Sequence, residues 1–485
     1  MKQEIKIMFF GMLTMSLFSS YHLTRHQSMP FALDNNNNNN NKNIELLTAP
    51  TTRSVAFYDD ENDIGIVSKK DPSFFRVLRE EIDSLNDRAR CKRYGFGYDY
   101  DYDESQQPRR RIFFGALVAS ESWELFEIVA AEAYGLYDGI ILVESNRTQN
   151  FSPRNVTRAN SNSGNGNATG TKTKTEKTVA NLFGVDADRV QLRFWTNEDE
   201  DLLYLNREKQ QRDDVLKGWR ELGMRPDDIA VLGDIDETFT RDFLVALRTC
   251  GSVPELDYEH HRCHPEKMGL RAVTQIYESS PECIRSDKKW FHPSMFSGHC
   301  IEGIGGGDGK HKSPPRNTFE NIHRQKGWSY LDWNTSNPYT PLANGGDFRT
   351  VGAKKVARIL DHKERKKNYQ RHTAYHFHNF FVRSDSIRFK YFTFGHADKN
   401  AYKYKSLGRL SKGIKMMVHC VKKKSSLTGK STMVEGGFED LDPFTPVYFR
   451  DASYRSQRHR HVHNMIRRDE EKSWTQPPSN HKSLI

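Results

Sequence analysis

Three short apolar segments, each running directly into polar residues, most constrain the fold of this chain. They span residues 110–120, 139–145 and 229–232. Apolar runs of this length, bounded by turn-forming residues such as Pro226 and Asp227, are typical of buried strands. Periodicity alone also allows a short buried helix, so the interpretation depends on the order of the neighbouring elements.

An amphipathic helix is predicted between the first two segments. Leu125, Ile128 and Val129 are spaced three and four residues apart, as on one face of a helix. Strand, helix and strand in this order predict a βαβ unit with a right-handed crossover. A further strand is expected at residues 190–195 and a charged helix at residues 200–222. The sequence therefore predicts an α/β fold with a central mixed, mostly parallel sheet flanked by helices.

Acidic residues follow the last apolar segment. Asp234, Asp236 and Glu237 stand at its carboxyl end, where open α/β sheets bind ligands. On a continuous strand, Asp234 and Asp236 share one face and repel each other unless a cation lies between them. Oxygen ligands suit Mg²⁺ or Mn²⁺, which bridge phosphate oxygens. A bare D-x-D motif leaves one alternative open, a solvated acidic loop that caps a helix beginning near Thr240.

The N-terminus predicts entry into the secretory pathway. Residues 7–24 carry no formal charge, and Lys2 and Lys6 precede them. This length lies between a signal-peptide core and a full membrane span of about 20 residues. The favoured interpretation of residues 1–24 is an uncleaved signal anchor with its amino end in the cytosol. The alternatives are a cleaved signal peptide and a buried helix of a cytosolic protein.

Cysteines and glycosylation motifs agree with a luminal destination. The six cysteines form an even set that allows three disulfides, and no C-x-x-C pair indicates zinc. The chain also contains N-x-S/T motifs, which are Asn146, Asn150, Asn155, Asn167 and Asn334. Both features are expected of a protein that folds in an oxidising lumen.

Composition divides the chain into regions. Residues 25–88 include a poly-Asn tract and little apolar pattern, which predicts a disordered stem. The folded domain is expected at residues 89–421, with a low-complexity insertion at residues 150–178, and residues 422–485 are expected to form a disordered polar tail. Beyond Gly251, helices and loops with many aromatic side chains are expected. The net charge is +10, but no nucleic-acid-binding motif accompanies the basic clusters, so no nucleic-acid partner is expected.

Six segments in register carry a resemblance to a known family. They are CKRYGF (91–96), RRIFFGALVASESWELFEI (110–128), YDGIILVESNRTQ (137–149), EKQQRDD (208–214), RPDDIAVLGDIDE (225–237) and the segment 374–400. Together they resemble glycosyltransferase family 17, whose founding activity transfers the bisecting N-acetylglucosamine to N-glycans. Two positions depart from the family pattern. Thr238 and Phe239 replace Ile-Pro, and Ala-Tyr-His-Phe-His at residues 374–378 replaces Gly-Trp-His-x-Ser.

This resemblance implies a GT-A-like nucleotide-sugar transferase domain. The implied donor is a UDP-sugar, UDP-GlcNAc, and the implied cofactor is Mn²⁺ or Mg²⁺. The implied acceptor is a mannose of a glycoprotein N-glycan, which receives a β1,4-linked sugar with inversion. With the N-terminal anchor, these features imply a single-pass type II protein of the Golgi membrane whose catalytic domain lies in the lumen.

Metal-binding and catalytic roles fall first on the acidic motif. Asp234 and Asp236 are predicted to bind the metal, with Asp236 also catalytic and Glu237 either holding the loop or assisting. In GT-A-like enzymes a late histidine often completes the metal site, and the candidates are His376, His378 and His396, with His376 preferred. Packing among the neighbouring aromatic residues is the alternative role of each histidine. The only candidates for the catalytic base are Asp347 and Asp398.

Nucleotide-binding roles fall on the end of the second strand and on one helix. Glu144, Ser145 and Asn146 follow that strand at the predicted ligand-binding edge, where uracil and ribose would lie. Arg212 is predicted to face the diphosphate as a fixed planar cation. The alternatives are a turn that merely leaves the strand and a solvated arginine on a helix.

Two other functional classes compete with a transferase. The motif VLGDIDETF also fits the D-x-D-x-T pattern of haloacid-dehalogenase-like phosphatases, in which the first Asp is a nucleophile. In such enzymes the motif opens the domain, whereas a βαβ unit precedes it here. The second alternative is a catalytically inactive luminal protein that binds glycans, because a fold does not fix a function.

Overall fold

The described part of the chain belongs to one compact unit, Ser54–Ile485, in a computed structural model. The structure describes residues 70, 72–98, 110–119, 121–148, 173–196, 204–257, 269–301, 303–304, 357, 372–383, 386–387, 390, 431–433 and 445–471. The predicted signal anchor at residues 1–24 lies outside these ranges. Among the helices within them, none combines the length and apolar character that a membrane crossing requires.

Helices and strands alternate in the N-terminal half of the described chain. The helices are α1 (Pro72–Asp83), α2 (Asp87–Tyr94), α3 (Trp123–Ala133), α4 (Lys174–Phe183), α5 (Tyr204–Glu221), α6 (Arg241–Thr249) and α7 (Ala452–Glu471). The strands are β1 (Ile112–Val118), β2 (Gly139–Ser145), β3 (Val190–Trp195), β4 (Ile229–Asp234), β5 (Glu237–Phe239), β6 (Leu270–Arg271), β7 (Thr274–Glu278), β8 (Cys283–Trp290), β9 (Ser294–Ser297), β10 (Ala374–His378) and β11 (Ser431–Met433).

The central sheet has the strand order β3-β2-β1-β4-β9-β6. The first four strands are parallel, and β9 pairs antiparallel with both β4 and β6. The predicted α/β fold with a mixed, mostly parallel sheet flanked by helices is therefore confirmed. Because the four parallel strands point the same way, the polar residues after β2 and β4 lie at one edge of the sheet.

Helices cover both faces of this sheet. On one face, Trp219 of α5 packs against Phe113 and Ile141, and its indole nitrogen donates to the Phe114 carbonyl at 3.2 Å. Gly115 permits this close approach, because a Cβ there would lie 2.1 Å from the Val215 side chain. On the other face, α3 and α4 contribute a larger apolar cluster. The continuous apolar runs in the sequence reflect this burial on two sides.

A second sheet has the strand order β11-β8-β7-β10-β5. The expectation of helices and loops beyond Gly251 is therefore wrong for β6 to β11. The strands of this region are short, and several alternate poorly because both their faces are buried, so their aromatic residues did not distinguish strands from loops. The second sheet joins the first through β5, which follows β4 after the turn at Ile235 and Asp236.

The folded domain begins before its predicted first residue, 89, and continues beyond its predicted last residue, 421. Helix α1 lies inside the predicted stem, yet Phe75, Leu78 and Ile82 are buried against the core. Their spacing of three and four residues is that of one helix face. The predicted insertion at residues 150–178 also extends too far, because α4 begins at Lys174 behind a capping box formed by Thr173 and Glu176.

The predicted polar tail at residues 422–485 contains a buried structural element. A 3-10 turn, Val447–Arg450, precedes helix α7. Helix α7 packs on the domain through Tyr454, Arg458 and Val462, which are all buried. These residues recur at every fourth position, so one face of a very polar helix is covered. The segment was predicted to be disordered because its average composition is polar, and this average does not show that one helix face is buried.

One disulfide joins helix α2 to the end of helix α6. Cys91 of α2 is bonded to Cys250, which directly follows α6. Cys283 and Cys300 are disulfide-bonded as well, and no cysteine of the described ranges is free. These findings agree with the expectation that the cysteines are oxidised.

Candidate metal and nucleotide site

The acidic motif folds as a strand, a turn and a second strand. Strand β4 ends at Asp234, and the chain turns at Ile235 and Asp236 into β5. Strand β5 then pairs antiparallel with β10 so that His376 lies directly opposite Glu237. The Asp236 carbonyl accepts a hydrogen bond from the Phe377 amide at 2.8 Å. Backbone pairing therefore brings together side chains that are about 140 positions apart in the sequence.

Asp236, Glu237 and His376 form a group that fits one metal ion. One potential ligand atom from each residue lies within 4.8 Å of the others, and all three residues are buried. The His376 Nε2 atom is 3.2 Å from the Asp236 Oδ2 atom, and the buried Nδ1 atom of His376 has no hydrogen-bond partner among the described residues. Two carboxylates and an imidazole are acceptable ligands for Mn²⁺.

Trp290 contacts both Glu237 and His376 of this group. Its indole nitrogen donates to the Glu237 Oε1 atom at 2.8 Å, and its ring stacks on the His376 ring with centroids 5.3 Å apart. The second Glu237 carboxylate oxygen accepts from the Asp234 amide at 3.0 Å. Glu237 therefore organises the turn, and its carboxylate oxygens are of the type that binds a hard cation.

The charge state of Asp236 suits a metal ligand. Burial alone raises the pKa of this carboxyl, but the His376 ring and the Lys390 ammonium outweigh that effect, so the pKa lies below its usual value. Asp236 is therefore ionised at neutral pH.

Asp234 lies outside the group of Asp236, Glu237 and His376, and its role as a metal ligand stays a prediction. Its Oδ1 atom accepts a hydrogen bond from Arg212 at 2.7 Å, and its carboxylate is partly exposed. The prediction assumed a continuous strand from Asp234 to Asp236. A turn begins directly after Asp234, so Asp234 and Asp236 do not share one face of a continuous strand.

Arg212 is buried and does not present its guanidinium group to a ligand as predicted. The group donates to Asp234, to Glu208 at 2.8 Å and to the Gly233 carbonyl at 3.2 Å. Its planar fork therefore fixes the end of β4. This arginine therefore stabilises the position of Asp234 and the end of β4.

Residues from the end of β2 lie at the same sheet edge as the acidic motif. Strand β1 separates them, with Glu144 beside Val118 and Asp234 beside Leu117. Glu144 and Ser145 are buried, and the Ser145 hydroxyl accepts from the Arg147 amide at 3.1 Å. The Asn146 Oδ1 atom is buried without a hydrogen-bond partner among the described residues. This segment can therefore offer Asn146 to a ligand, while Ser145 shapes the turn.

A second polar cluster, which sequence reasoning missed, lies beside the metal-binding group. His378 was a candidate metal ligand, but its Nδ1 atom lies 3.0 Å from the Glu278 Oε2 atom. The Asn379 amide donates to the Glu278 Oε1 atom at 2.6 Å. Burial lowers the pKa of His378 to about 4, so the ring is neutral at pH 7. Burial also raises the pKa of Glu278, but His378, Arg285 and Asn379 together bring it below its usual value, and the carboxylate is ionised.

The remaining candidates of the sequence analysis fall outside the described ranges. They are His396, Asp347 and Asp398. A scan of the sequence against protein-family models found no match, and a search of curated proteins also found none.

Proposed function

We propose that this protein is a metal-dependent inverting glycosyltransferase. In the proposed reaction, N-acetylglucosamine moves from UDP-GlcNAc to a mannose of an N-glycan, in a β1,4 linkage of the bisecting type. The single observation that carries the proposal is the buried group of Asp236, Glu237 and His376 next to the carboxyl ends of the parallel strands. The resemblance of six sequence segments to glycosyltransferase family 17 selects this reaction among those that such a site could serve.

The proposed roles of the residues follow from their positions along the edge of the sheet. Asp236, Glu237 and His376 would hold Mn²⁺ or Mg²⁺, and a bound cation acts as a Lewis acid toward the departing diphosphate. Asn146 and Glu144 would bind the nucleotide at the end of β2. Arg212 keeps Asp234 and the end of β4 in place. The acceptor hydroxyl would give its proton to a general base, for which Asp347 and Asp398 are the candidates, as its oxygen forms a bond to the anomeric carbon. The bond from that carbon to the diphosphate oxygen would break, and UDP would leave.

A Golgi location and a type II membrane topology belong to the same proposal. The uncharged segment at residues 7–24 and the N-glycosylation motifs support them. The disulfide between Cys91 and Cys250 supports an oxidising compartment. The proposed partners are the membrane, the nucleotide sugar and a glycoprotein N-glycan.

A comparison of matched variants tests the activity. Full-length protein is incubated with a panel of UDP-sugars and N-glycans, with and without Mn²⁺, and product is measured by mass spectrometry. Asp236→Asn should abolish metal-dependent turnover of UDP-GlcNAc. Asp227→Asn is the control, because Asp227 is an exposed carboxylate at the opposite end of β4. Absence of transfer from every UDP-sugar by the wild-type protein would refute the proposal.

A further variant, Asp234→Asn, together with Asp236→Asn separates the two competing classes. A phosphatase of the D-x-D-x-T type would release phosphate from a phosphomonoester and lose this activity in Asp234→Asn. A glycan-binding protein without activity would bind N-glycans equally well with and without Asp236.

A further inference from the structure

The cluster of Glu278, His378 and Asn379 has no role in the function described so far. Glu278 ends β7 and His378 ends β10, and the two residues are direct partners in this parallel strand pair. Both Glu278 oxygens lie within 3.1 Å of the His378 Nδ1 atom. Glu278 is fully buried, so its carboxylate is a fixed acceptor for its neighbours.

The backbone after each of these residues has an uncommon conformation. Ser279 has φ 62° and Asn379 has φ 59°, which is the left-handed region that residues other than glycine rarely adopt. The Ser279 amide donates to the His378 carbonyl at 2.9 Å and so ties the two turns together. Strained backbone of this kind persists where the surroundings over-determine it, and it is concentrated at functional sites.

Arg458 of α7 donates hydrogen bonds to the backbone carbonyls of both turns. Its Nε atom donates to the Ser279 carbonyl at 2.9 Å, and its Nη2 atom donates to the Phe381 carbonyl at 3.1 Å. The third contact, from Nη1 to Glu124 at 2.8 Å, anchors the fully buried guanidinium group in the domain. The positions of Glu278 and His378 are therefore fixed by three separate parts of the chain.

The cluster lies on the side of the metal-binding group that the nucleotide is not expected to occupy. Glu144 belongs to β2 of the first sheet and Asn146 follows the end of this strand, whereas Glu278 and His378 belong to the second sheet. His378 shares one face of β10 with His376, and their ring centroids are 5.1 Å apart. A substrate that approaches from the second sheet would meet His378 next to the metal-binding residues.

The His378 ring can accept a hydrogen bond on this side. With Nδ1 donating to Glu278, the Nε2 atom is an acceptor. Within the described residues, the close polar contacts of this ring all involve Nδ1. The ring is partly exposed, so a ligand can reach it.

We propose that His378, oriented by Glu278, binds a hydroxyl group of the acceptor sugar. This inference rests on the proposed function for the identity of the acceptor, and it adds a residue that determines acceptor affinity. The Nε2 atom accepts a hydrogen bond from the sugar hydroxyl and so directs that oxygen toward the metal-binding group. Glu278 acts as a positioning residue, because it fixes the tautomer and the ring orientation of His378.

Substitutions of His378 in the full-length protein test this inference. His378→Ala should raise the KM for the N-glycan acceptor by about tenfold, as for the loss of one hydrogen bond, and leave the KM for UDP-GlcNAc within about twofold. His378→Gln should recover part of the acceptor affinity, because its amide can replace the Nε2 atom. Glu278→Gln should resemble His378→Ala, because a glutamine amide can donate to Nδ1 and shift the ring proton to Nε2. His459→Ala is the control, since His459 is exposed on α7.

Two further measurements keep the inference separate from the proposed function. The affinity for Mn²⁺, measured by tryptophan fluorescence, should change by less than about twofold in His378→Ala, which shows that the metal-binding group is intact. Binding of a mannose-terminated N-glycan is measured by saturation-transfer NMR without donor. If the wild-type protein binds the glycan but transfers no sugar, loss of binding in His378→Ala supports the inference although the proposed function fails. An unchanged acceptor KM, a selective change in the donor KM, or no glycan binding by the wild-type protein would overturn it.

Discussion

His376 lies directly across the β5–β10 strand pair from Glu237, and its Nε2 atom is 3.2 Å from the Asp236 carboxylate. The metal-binding group thus depends on a backbone register as well as on its side chains. A shift of β10 by one residue would turn His376 to the opposite face of the sheet.

We expect His376→Ala to weaken Mn²⁺ binding by about 100-fold or more, because removal of residues outside the direct ligands already costs roughly 10–100-fold in metal sites. Isothermal titration calorimetry with MnCl₂ measures the affinity. Asp234→Asn should have a smaller effect, since Asp234 pairs with Arg212 instead. Equal losses in the two variants would show that Asp234 is a direct ligand.

Arg458→Met should destabilise the protein by about 3–5 kcal/mol, because it leaves Glu124 charged and buried without its partner. Urea unfolding followed by circular dichroism measures the change. Arg460→Met, an exposed change on the same helix, should cost less than about 0.5 kcal/mol. If the two variants are equally stable, α7 is not firmly attached to the domain.

The stability of the protein should depend on the protonation of Glu132. Burial raises the pKa of this carboxyl from its ordinary value of 4.5 to about 7 in the folded state, although the Val447 and Arg241 amides oppose this shift. The folded state therefore binds more protons between these values, and the resulting stabilisation is complete below pH 4.5 and lost as pH rises through about 7.

Glu132→Gln removes this titration. Relative to the wild type, the variant should gain roughly 3 kcal/mol between pH 4.5 and pH 8. Thermal and urea unfolding across this range provide the comparison. Glu80→Gln is the control, because Glu80 is largely exposed. Parallel pH profiles of wild type and Glu132→Gln would contradict the expectation.

The Cys91→Ala, Cys250→Ala double variant should lose about 2–5 kcal/mol of stability, because the bond closes a loop of 159 residues in the unfolded chain. Differential scanning calorimetry of the purified protein measures the change. Peptide mapping without reductant should recover the two cysteines in one linked peptide from the wild type. Separate peptides would show that the bond does not form.

The parallel part of the fold was predictable because its strands are continuous apolar runs. Strand β2 was predicted with its observed bounds, Gly139–Ser145, and the helix after the acidic motif begins beside Thr240, whose hydroxyl caps it. The second sheet was missed because its strands are short and their pairing joins distant segments. Local periodicity contains no information on such pairing.

The candidate site was predictable in its residue types and only partly in its geometry. Asp236, Glu237 and His376 were named from the motif and the family resemblance, and they lie together. The separation of Asp234 from this group follows from a turn that no local pattern marked. The partnership of Glu278 with His378 depends on the register of β7 and β10, which only the folded structure contains.

The contacts of Arg458 limit the order in which parts of the domain can fold during translation. Ser279 precedes this arginine by 179 residues and Glu124 precedes it by 334, so neither contact can form until Arg458 has left the ribosome. The turns beside His378 must therefore take their final shape after translation of the parallel sheet, and nascent chains that stop before α7 would carry the acidic motif without the contacts that fix these turns.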